Sequence, residues 1–372
     1  MIYLDYSATT PVNKEALETF NKVCNDFIGN PNSLHKLGVE AKKLEESATK
    51  QIKELLHLDN EEIIYTSGSS ESNNLAIKGL CLKHQGMGKH IITTNLEHSS
   101  IYGPIGYLQK LGYTVDFVKT KNGLVDMDDL KRLLTDDTVL VTISSVNSET
   151  GILQDIKKIA TFLKDKKCFF HVDMTQSIGK VNIPLDNIDL ISFSAHKFYG
   201  LKGIGVLIKK KEITLEPLIH GGKSTTAYRS GTPALPLIVS LSKALRLALE
   251  NLDKKYEYVL DLNKYLKEEI SKLEDVAINS NENSIPHILN ISVINIKPET
   301  MQHALEKYDI YISTQSACSA NNKISKAVLE LTNDEKKSSY SIRISLAYLT
   351  TKEELEKFII ALKKCINELK IK

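Results

Sequence analysis

The chain has 372 residues, of which 42% are hydrophobic and 25% are charged, and its formal net charge is only +2. This composition is typical of a globular protein long enough for two domains, and it lacks the strong positive charge that general nucleic-acid binding needs. No apolar run reaches the roughly 20 residues that span a bilayer, and the N-terminal sequence MIYLDYSATTPV is not typical of a signal peptide.

The five cysteines indicate a reducing compartment. They lie far apart at Cys24, Cys81, Cys168, Cys318 and Cys365. Their odd number argues against a disulfide framework, and no pair has metal-ligand spacing. We therefore expect a cytoplasmic protein with no metal site, no membrane association and no direct contact with nucleic acid.

Short apolar runs alternate with helix-length amphipathic segments between about residues 60 and 210. The runs, rich in β-branched residues, are 61–66, 90–94, 113–118, 138–144, 167–173, 188–194 and 203–208. Helical candidates between them include 72–84, 99–111 and 155–166. Such alternation predicts an α/β domain built on a mostly parallel sheet.

The pattern changes after about residue 233. A helical stretch over roughly 234–275 precedes shorter strands at 287–295 and 341–347, and an amphipathic helix at 352–370 closes the chain. We predict a large α/β domain over 15–255. A smaller α+β domain is predicted from 1–14 and 256–372, and it carries a polar loop at about 313–325.

Ligands of an open α/β sheet collect at the carboxyl ends of its strands, so the residues that follow each run are the informative ones. Ser69 and Ser70 open a helix after the first run, where they either hold a phosphate or simply cap the helix. His98 follows the second run, and it is either a ligand contact or a histidine satisfied by nearby backbone.

Two charged residues also follow buried strands. Asp173 needs a partner there, which is either a protonated ring nitrogen of a ligand or the N–H groups of a turn. Lys197 is either an exposed turn lysine or the amine of a Schiff base. A phosphate cradle, a stacking histidine, a carboxylate and a lysine at one sheet edge together meet the needs of pyridoxal 5′-phosphate (PLP).

With these motifs assembled, the chain closely resembles the cysteine desulfurases of the NifS/IscS type, almost from end to end. The resemblance implies a fold-type I, PLP-dependent homodimer with a seven-stranded sheet covered by helices on both faces. The segments that carry the resemblance are YLDYSATTPV (3–12), TSGSSESNNLAIKG (66–79), EHSS (97–100), HVDMTQS (171–177), SFSAHKFYGLKGIG (192–205), RSGT (229–232), SACS (316–319) and SIRIS (341–345).

The resemblance also implies a role for each matching residue. Lys197 would hold the cofactor aldehyde, Asp173 would pair with the pyridine nitrogen, and His98 would stack on the ring and act in proton transfer. Arg343 would bind the substrate carboxylate, and Asn147 would be a further substrate-binding residue. The remaining cofactor contacts would be Gln176 and Ser148 at the ring hydroxyl, Ser69, Ser70, Ser194 and His196 at the phosphate, and Thr232 reaching the phosphate of the second subunit.

Cys318 matches the family's persulfide-forming nucleophile, and the small polar residues around it suit a thiol carried on a loop. The implied reaction converts L-cysteine to L-alanine and a Cys318 persulfide. That persulfide would pass to an acceptor protein for iron–sulfur cluster assembly or tRNA thiolation. A bystander thiol on a solvated loop is the alternative for this residue.

Three positions depart from the family pattern. Ser148 replaces an asparagine that usually contacts the ring hydroxyl, the segment 220–227 lacks a Glu-Arg pair, and Leu201 replaces a proline. These changes leave other functions open. One alternative function is another fold-type I PLP enzyme, such as a selenocysteine lyase, a β-lyase or a small-amino-acid aminotransferase. The other is a non-catalytic scaffold that has kept the fold.

Overall fold

The structure is a computed structural model that describes residues 1–314 and 324–370. The strands, in chain order, are β1 (Ile2–Tyr3), β2 (Glu61–Thr66), β3 (His90–Thr94), β4 (Thr114–Val118), β5 (Thr120–Lys121), β6 (Leu124–Val125), β7 (Thr138–Ser144), β8 (Phe169–Asp173), β9 (Leu190–Ser194), β10 (Gly205–Lys210), β11 (Val276–Ile278), β12 (Ile288–Val293), β13 (Ile310–Tyr311) and β14 (Ser341–Ser345). The predicted position of the nucleophile, Cys318, lies outside the described residues.

Helices surround these strands. The α-helices are α1 (Lys14–Asp26), α2 (Lys36–Leu55), α3 (Ser69–Asn74), α4 (Leu80–Lys83), α5 (Ser99–Lys110), α6 (Met127–Leu133), α7 (Ile156–Leu163), α8 (Leu235–Leu249), α9 (Leu252–Ser271), α10 (Pro298–Glu306), α11 (Lys326–Thr332), α12 (Glu335–Ser339) and α13 (Lys352–Lys370). A π-helical segment, Leu75–Gly79, joins α3 to α4, and a 3₁₀ turn, Ala195–Lys197, follows β9. No helix in the described part of the chain is long and apolar enough to cross a membrane.

Seven strands form the central sheet in the order β2-β10-β9-β8-β7-β3-β4. Neighbouring strands are parallel, except that β10 runs antiparallel to both β2 and β9. All seven runs that the sequence predicts as strands are strands of this sheet, so the predicted mostly parallel α/β fold is confirmed.

Both faces of this sheet are buried. In β2, Ile63 and Tyr65 join one apolar core, whereas Ile64 between them joins another. Because successive side chains of a strand point to opposite faces, the two cores lie on opposite sides of the sheet. The first also contains apolar residues of α7 and α8, and the second contains those of α4 and α5, so helices cover both faces as predicted.

A third core lies in the C-terminal part of the chain. It joins the sheet β11-β12-β14 to α9, α10 and α13, and it includes Ile2 and Leu4 from the N-terminus because β1 pairs with β13. The helical stretch predicted over 234–275 is two helices, since Asn251 takes a left-handed backbone with φ 54°. The division of the chain into domains at residues 15 and 255 stays a prediction.

Candidate active site

A cavity of about 220 Å³ lies where the parallel strands end. Its wall contains the end residues of two strands, Ser144 of β7 and Asp173 of β8, together with residues that follow β2, β3 and β9. The lining residues are Ser7, Ala8, Ser69, Ser70, Leu96, His98, Ser144, Val146, Ser148, Asp173, Thr175, Gln176, His196, Lys197 and Arg343. Nine of the residues predicted from the sequence therefore meet in one place.

The amine of Lys197 projects from the 3₁₀ turn after β9 toward the N-terminal segment of the chain. Its Nζ donates to the carbonyl oxygen of Ser7 at 2.5 Å and to that of Ala8 at 2.8 Å. Both acceptors are backbone groups of the segment 3–12, which the family resemblance singles out without assigning it a role. This segment therefore helps to build the site as well as the third, C-terminal core.

Asp173 ends β8 with its carboxylate buried, at 6% exposure. One oxygen accepts from the backbone N–H of Thr175 at 2.9 Å, and the other accepts from Asn73 Nδ2 at 2.8 Å. Within residues 1–314 and 324–370 it makes no ion pair. A buried carboxylate without a cation favours a positively charged ligand atom, such as a protonated ring nitrogen.

His98 caps the N-terminus of α5 and is linked to Asp173 through two side chains. Asn73 Nδ2 donates to Asp173 and, at 2.9 Å, to Ser100 Oγ, which lies 2.8 Å from His98 Nδ1. The Ser100 N–H also donates to Nδ1, which assigns the proton of the neutral imidazole to Nε2. Burial lowers the pKa of His98, while Asp173 opposes and Lys197 adds to that effect, so the neutral form is favoured.

The predicted phosphate contacts gather at one end of the site, where a second cavity of about 490 Å³ shares Ala8, Ser69, Ser70 and His196 with the first. Ser194 lines this second cavity, and its Oγ accepts from the Ser69 N–H at 2.6 Å. Burial, and next the charge of Lys197, lower the pKa of His196 to about 4, so its imidazole is neutral at pH 7.

Arg343 lies on β14 and closes the opposite side of the cavity with its guanidinium almost fully buried. Its NH2 donates to Asp5 Oδ1 at 2.7 Å, and its NH1 donates to the Ser148 carbonyl at 2.9 Å. In the described part of the chain, its Nε has no hydrogen-bond partner. A buried guanidinium with an N–H left over, on a residue that lines a cavity, is suited to a ligand carboxylate.

Two predicted site residues of the described part of the chain, Asn147 and Thr232, line neither cavity. The Asn147 amide donates to the Leu96 carbonyl and accepts from the N–H groups of Glu149 and Thr150, so it holds the turn after β7. Thr232 is exposed to solvent. The structure therefore lends no support to a substrate contact by Asn147 within one chain, and the role of Thr232 depends on a second subunit.

Comparison with known proteins identifies the family of the chain that forms this cavity. The family model for class-V aminotransferases matches residues 2–358. The cysteine desulfurase IscS of Buchnera aphidicola from Schizaphis graminum is 41% identical over 99% of this chain and 93% of its own length. The IscS of Dictyoglomus turgidum is 36% identical over 99% of this chain and 95% of its own length.

The chain belongs to the class-V aminotransferase family, in its NifS/IscS cysteine desulfurase group. Solved structures agree. A NifS-like protein superposes with a TM-score of 0.92 at 33% identity, each chain covered in full. A NifS-like protein from Rickettsia africae gives 0.89 at 29% identity and covers 99% of both chains. The resemblance drawn from the sequence motifs is therefore confirmed.

Class-V aminotransferases depend on PLP, and the residues of this member fit that cofactor. Asp173 is a buried carboxylate in need of a cationic partner, and Lys197 supplies an amine to the same cavity. The hydroxyl oxygen of Thr175 is buried and unpartnered among the described residues, which leaves a polar group for a ligand. Ser69 and Ser70 lie at a helix start, where N–H groups favour a phosphate.

Sequence reasoning missed several residues of the site. Asn73 lies within the quoted motif 66–79, yet two adjacent asparagines give no sign of which one faces the sheet. Glu97 precedes His98 and accepts hydrogen bonds from Thr94 and from both the N–H and the hydroxyl of Ser144. Burial raises the pKa of Glu97 to about 7, and an acidic residue at a strand end was the available signal.

Proposed function

We propose that this class-V aminotransferase is a cysteine desulfurase, which converts L-cysteine to L-alanine and leaves the sulfur as a persulfide on Cys318. The observation that carries the proposal is the convergence of Lys197, Asp173, His98 and Arg343 on one cavity. The IscS names of relatives that match almost the whole chain support the same reaction.

The residues that line the cavity would divide between PLP and the substrate. Bound PLP supplies an electron sink for the negative charge that develops when the substrate loses its α-proton. Asp173 would hold the ring nitrogen, Lys197 would hold the aldehyde, and Ser69 and Ser70 would hold the phosphate. The guanidinium of Arg343, whose Nε has no hydrogen-bond partner among the described residues, would bind the substrate carboxylate.

Proton movement would fall to Lys197 and His98. The Lys197 amine reaches the cavity from one wall, and its contacts with two carbonyls orient its Nζ. His98 carries its proton on Nε2 because Nδ1 accepts from the backbone N–H of Ser100, so the neutral ring offers an N–H donor. Burial lowers the pKa of His98 and favours this neutral ring at pH 7, so the ring would first accept a proton and then give it up from the imidazolium form.

Sulfur transfer would depend on Cys318, which lies outside the described residues. Its thiolate would attack the sulfur of the bound cysteine, forming an S–S bond and breaking the bond between that sulfur and Cβ. The electron pair of the broken bond stays with Cβ, which takes up a proton to become the methyl group of alanine. The second sulfur remains on Cys318 as a persulfide for an acceptor.

We extend the proposal to partners and location. The enzyme would be a homodimer in which the exposed Thr232 reaches the cofactor phosphate of the other subunit. It would pass sulfur to an acceptor protein for iron–sulfur cluster assembly or tRNA thiolation. A cytoplasmic location is supported by Cys24, Cys81, Cys168 and Cys365, which are free thiols.

The test follows alanine and sulfur together. Protein loaded with PLP is expected to release alanine from L-cysteine, and a pulse of L-cysteine is expected to add about 32 Da to the peptide that contains Cys318. Cys318→Ala should abolish turnover and keep the visible absorption of bound PLP. The matched control is Cys24→Ala, an exposed cysteine, which should leave both unchanged.

Other results would point elsewhere. Full turnover in Cys318→Ala would refute the persulfide step. Amino transfer to pyruvate without release of sulfur from cysteine would identify an aminotransferase. Alanine formation from selenocysteine but not from cysteine would identify a selenocysteine lyase.

A further inference from the structure

A second lysine lies behind the wall of the cavity. Lys180 is only 8% exposed, and in the described part of the chain its Nζ makes a single hydrogen bond, to Gln176 Oε1 at 2.7 Å. Burial lowers its pKa to about 7, and the positive charges of Lys197 and Arg343 act in the same direction. A buried amine with one partner costs stability, so its presence here calls for a functional explanation.

The contact with Lys180 determines how the Gln176 amide is oriented. An amide group has an acceptor side and a donor side. With its oxygen held by the Lys180 amine, Gln176 turns its Nε2 toward the carbonyl of Ser7, to which it donates at 2.9 Å. The flipped amide would bring its oxygen against the Ser7 carbonyl and its NH₂ against the lysine amine, and both contacts are repulsive.

The Ser7 carbonyl connects this pair to the centre of the site. It accepts from Gln176 and also from the Nζ of Lys197, at 2.5 Å. A carbonyl oxygen has two lone pairs, so the two donors together fix where this carbonyl lies. Lys180, Gln176, Ser7 and Lys197 therefore form one continuous chain of hydrogen bonds.

We propose that Lys180 is a positioning residue, which orients the Lys197 amine through the Gln176 amide and the Ser7 carbonyl and so sets how tightly the cavity holds PLP. The inference rests on the proposed function only in that Lys197 is taken as the cofactor lysine. It does not depend on which amino acid is the substrate.

The experiment titrates protein stripped of cofactor with PLP and follows the visible absorption of the bound cofactor. Lys180→Met keeps the length of the side chain and removes its donor, and it is expected to weaken PLP binding about tenfold. The pH midpoint of the absorption is expected to move by about half a unit or more, which a general loss of stability would not produce. Lys180→Leu, which also lacks a donor, is made alongside with the same expectation, in case the methionine is poorly tolerated.

Two comparisons sharpen the test. In a Gln176→Leu background, which breaks the same chain, Lys180→Met should weaken PLP binding by less than about twofold further. The matched control is Lys209→Met. Lys209 is also buried, but it lies at the opposite end of the strands from the cavity, where it pairs with Glu62. That variant should bind PLP as the wild type does.

The inference is overturned if both Lys180 variants bind PLP with the affinity and pH midpoint of Lys209→Met, or if the effects of Lys180→Met and Gln176→Leu multiply. A wild-type protein that fails to bind PLP would refute the cofactor assignment and this inference together. A wild-type protein that binds PLP but forms no alanine would refute the proposed desulfurase reaction alone.

Discussion

Replacing Asp5 with asparagine is expected to tighten the binding of L-cysteine and to destabilise the protein. Asp5 is the carboxylate that pairs with the buried guanidinium of Arg343, at 2.7 Å, with side-chain exposures of 20% and 2%. Asparagine keeps an oxygen that can accept from Arg343, but it removes the negative charge. The substrate carboxylate would bind at the same guanidinium, so Asp5 repels it in the wild type.

The size of the effect follows from the change in charge. Removing one charge of a buried ion pair costs about 3 to 5 kcal/mol, because the other charge is left uncompensated. Asp5 is partly exposed and asparagine keeps the hydrogen bond, so the free energy of unfolding should fall by a smaller amount, about 1 to 2 kcal/mol. Less repulsion of the substrate, by about 1.4 kcal/mol, would lower the KM for L-cysteine about tenfold.

The assay measures the initial rate of alanine formation against L-cysteine concentration, and urea unfolding reports stability. Asp309→Asn is the control, because Asp309 pairs with the N-terminal amine on the surface, and it should change neither quantity. A KM for Asp5→Asn that is equal to or above the wild-type value would refute the placement of the substrate carboxylate at Arg343. An unchanged stability would refute the energetic argument for the ion pair.

Two further predictions concern polar residues next to the site. Burial in the folded protein raises the pKa of Glu97 from 4.5 to about 7. The contribution of this group to stability is therefore complete below pH 4.5, and it is lost as the pH rises through 7. The free energy of unfolding falls by about 3 kcal/mol over this range. Glu97→Gln, which cannot ionise, should therefore gain stability relative to the wild type in urea unfolding between pH 5 and pH 8, and parallel pH curves would contradict this. Asn73→Ala removes one of the two hydrogen bonds that the Asp173 carboxylate accepts within the described residues, and it should weaken PLP binding about fivefold to tenfold in a titration. Asn95→Ala on the surface should leave PLP binding unchanged.

The strands and much of the site could be predicted from local sequence patterns. Each apolar run of the large sheet is short and is bounded by polar residues, and burial on both faces demands such a run whatever the rest of the chain does. Because ligands gather at the carboxyl ends of parallel strands, the residues that follow these runs were also the informative ones. Asp173, at the end of one buried run, and Lys197, shortly after another, became site candidates in this way, and their combination with the serines and the histidine at the same sheet edge indicated a PLP site.

Local patterns could not predict which side chain faces which group at the site. The break between α8 and α9 depends on one left-handed residue, Asn251, inside a segment whose composition favours helix throughout. Asn147 matches a substrate-binding position, yet its amide donates to the Leu96 carbonyl and accepts from the N–H groups of Glu149 and Thr150. Both outcomes depend on backbone conformation at single residues, which neighbouring sequence constrains only weakly.

The sequence by itself determined the layered α/β fold, the residues at the strand ends and the family. Only the tertiary structure decided that the carbonyls of Ser7 and Ala8 receive the Lys197 amine, and that Asp5 pairs with Arg343 from a position 338 residues away. The physical reason is that periodicity reports which face of an element is buried. A hydrogen bond between distant segments depends on how those elements are placed in space, and backbone carbonyls, which every residue carries, leave no trace in the sequence.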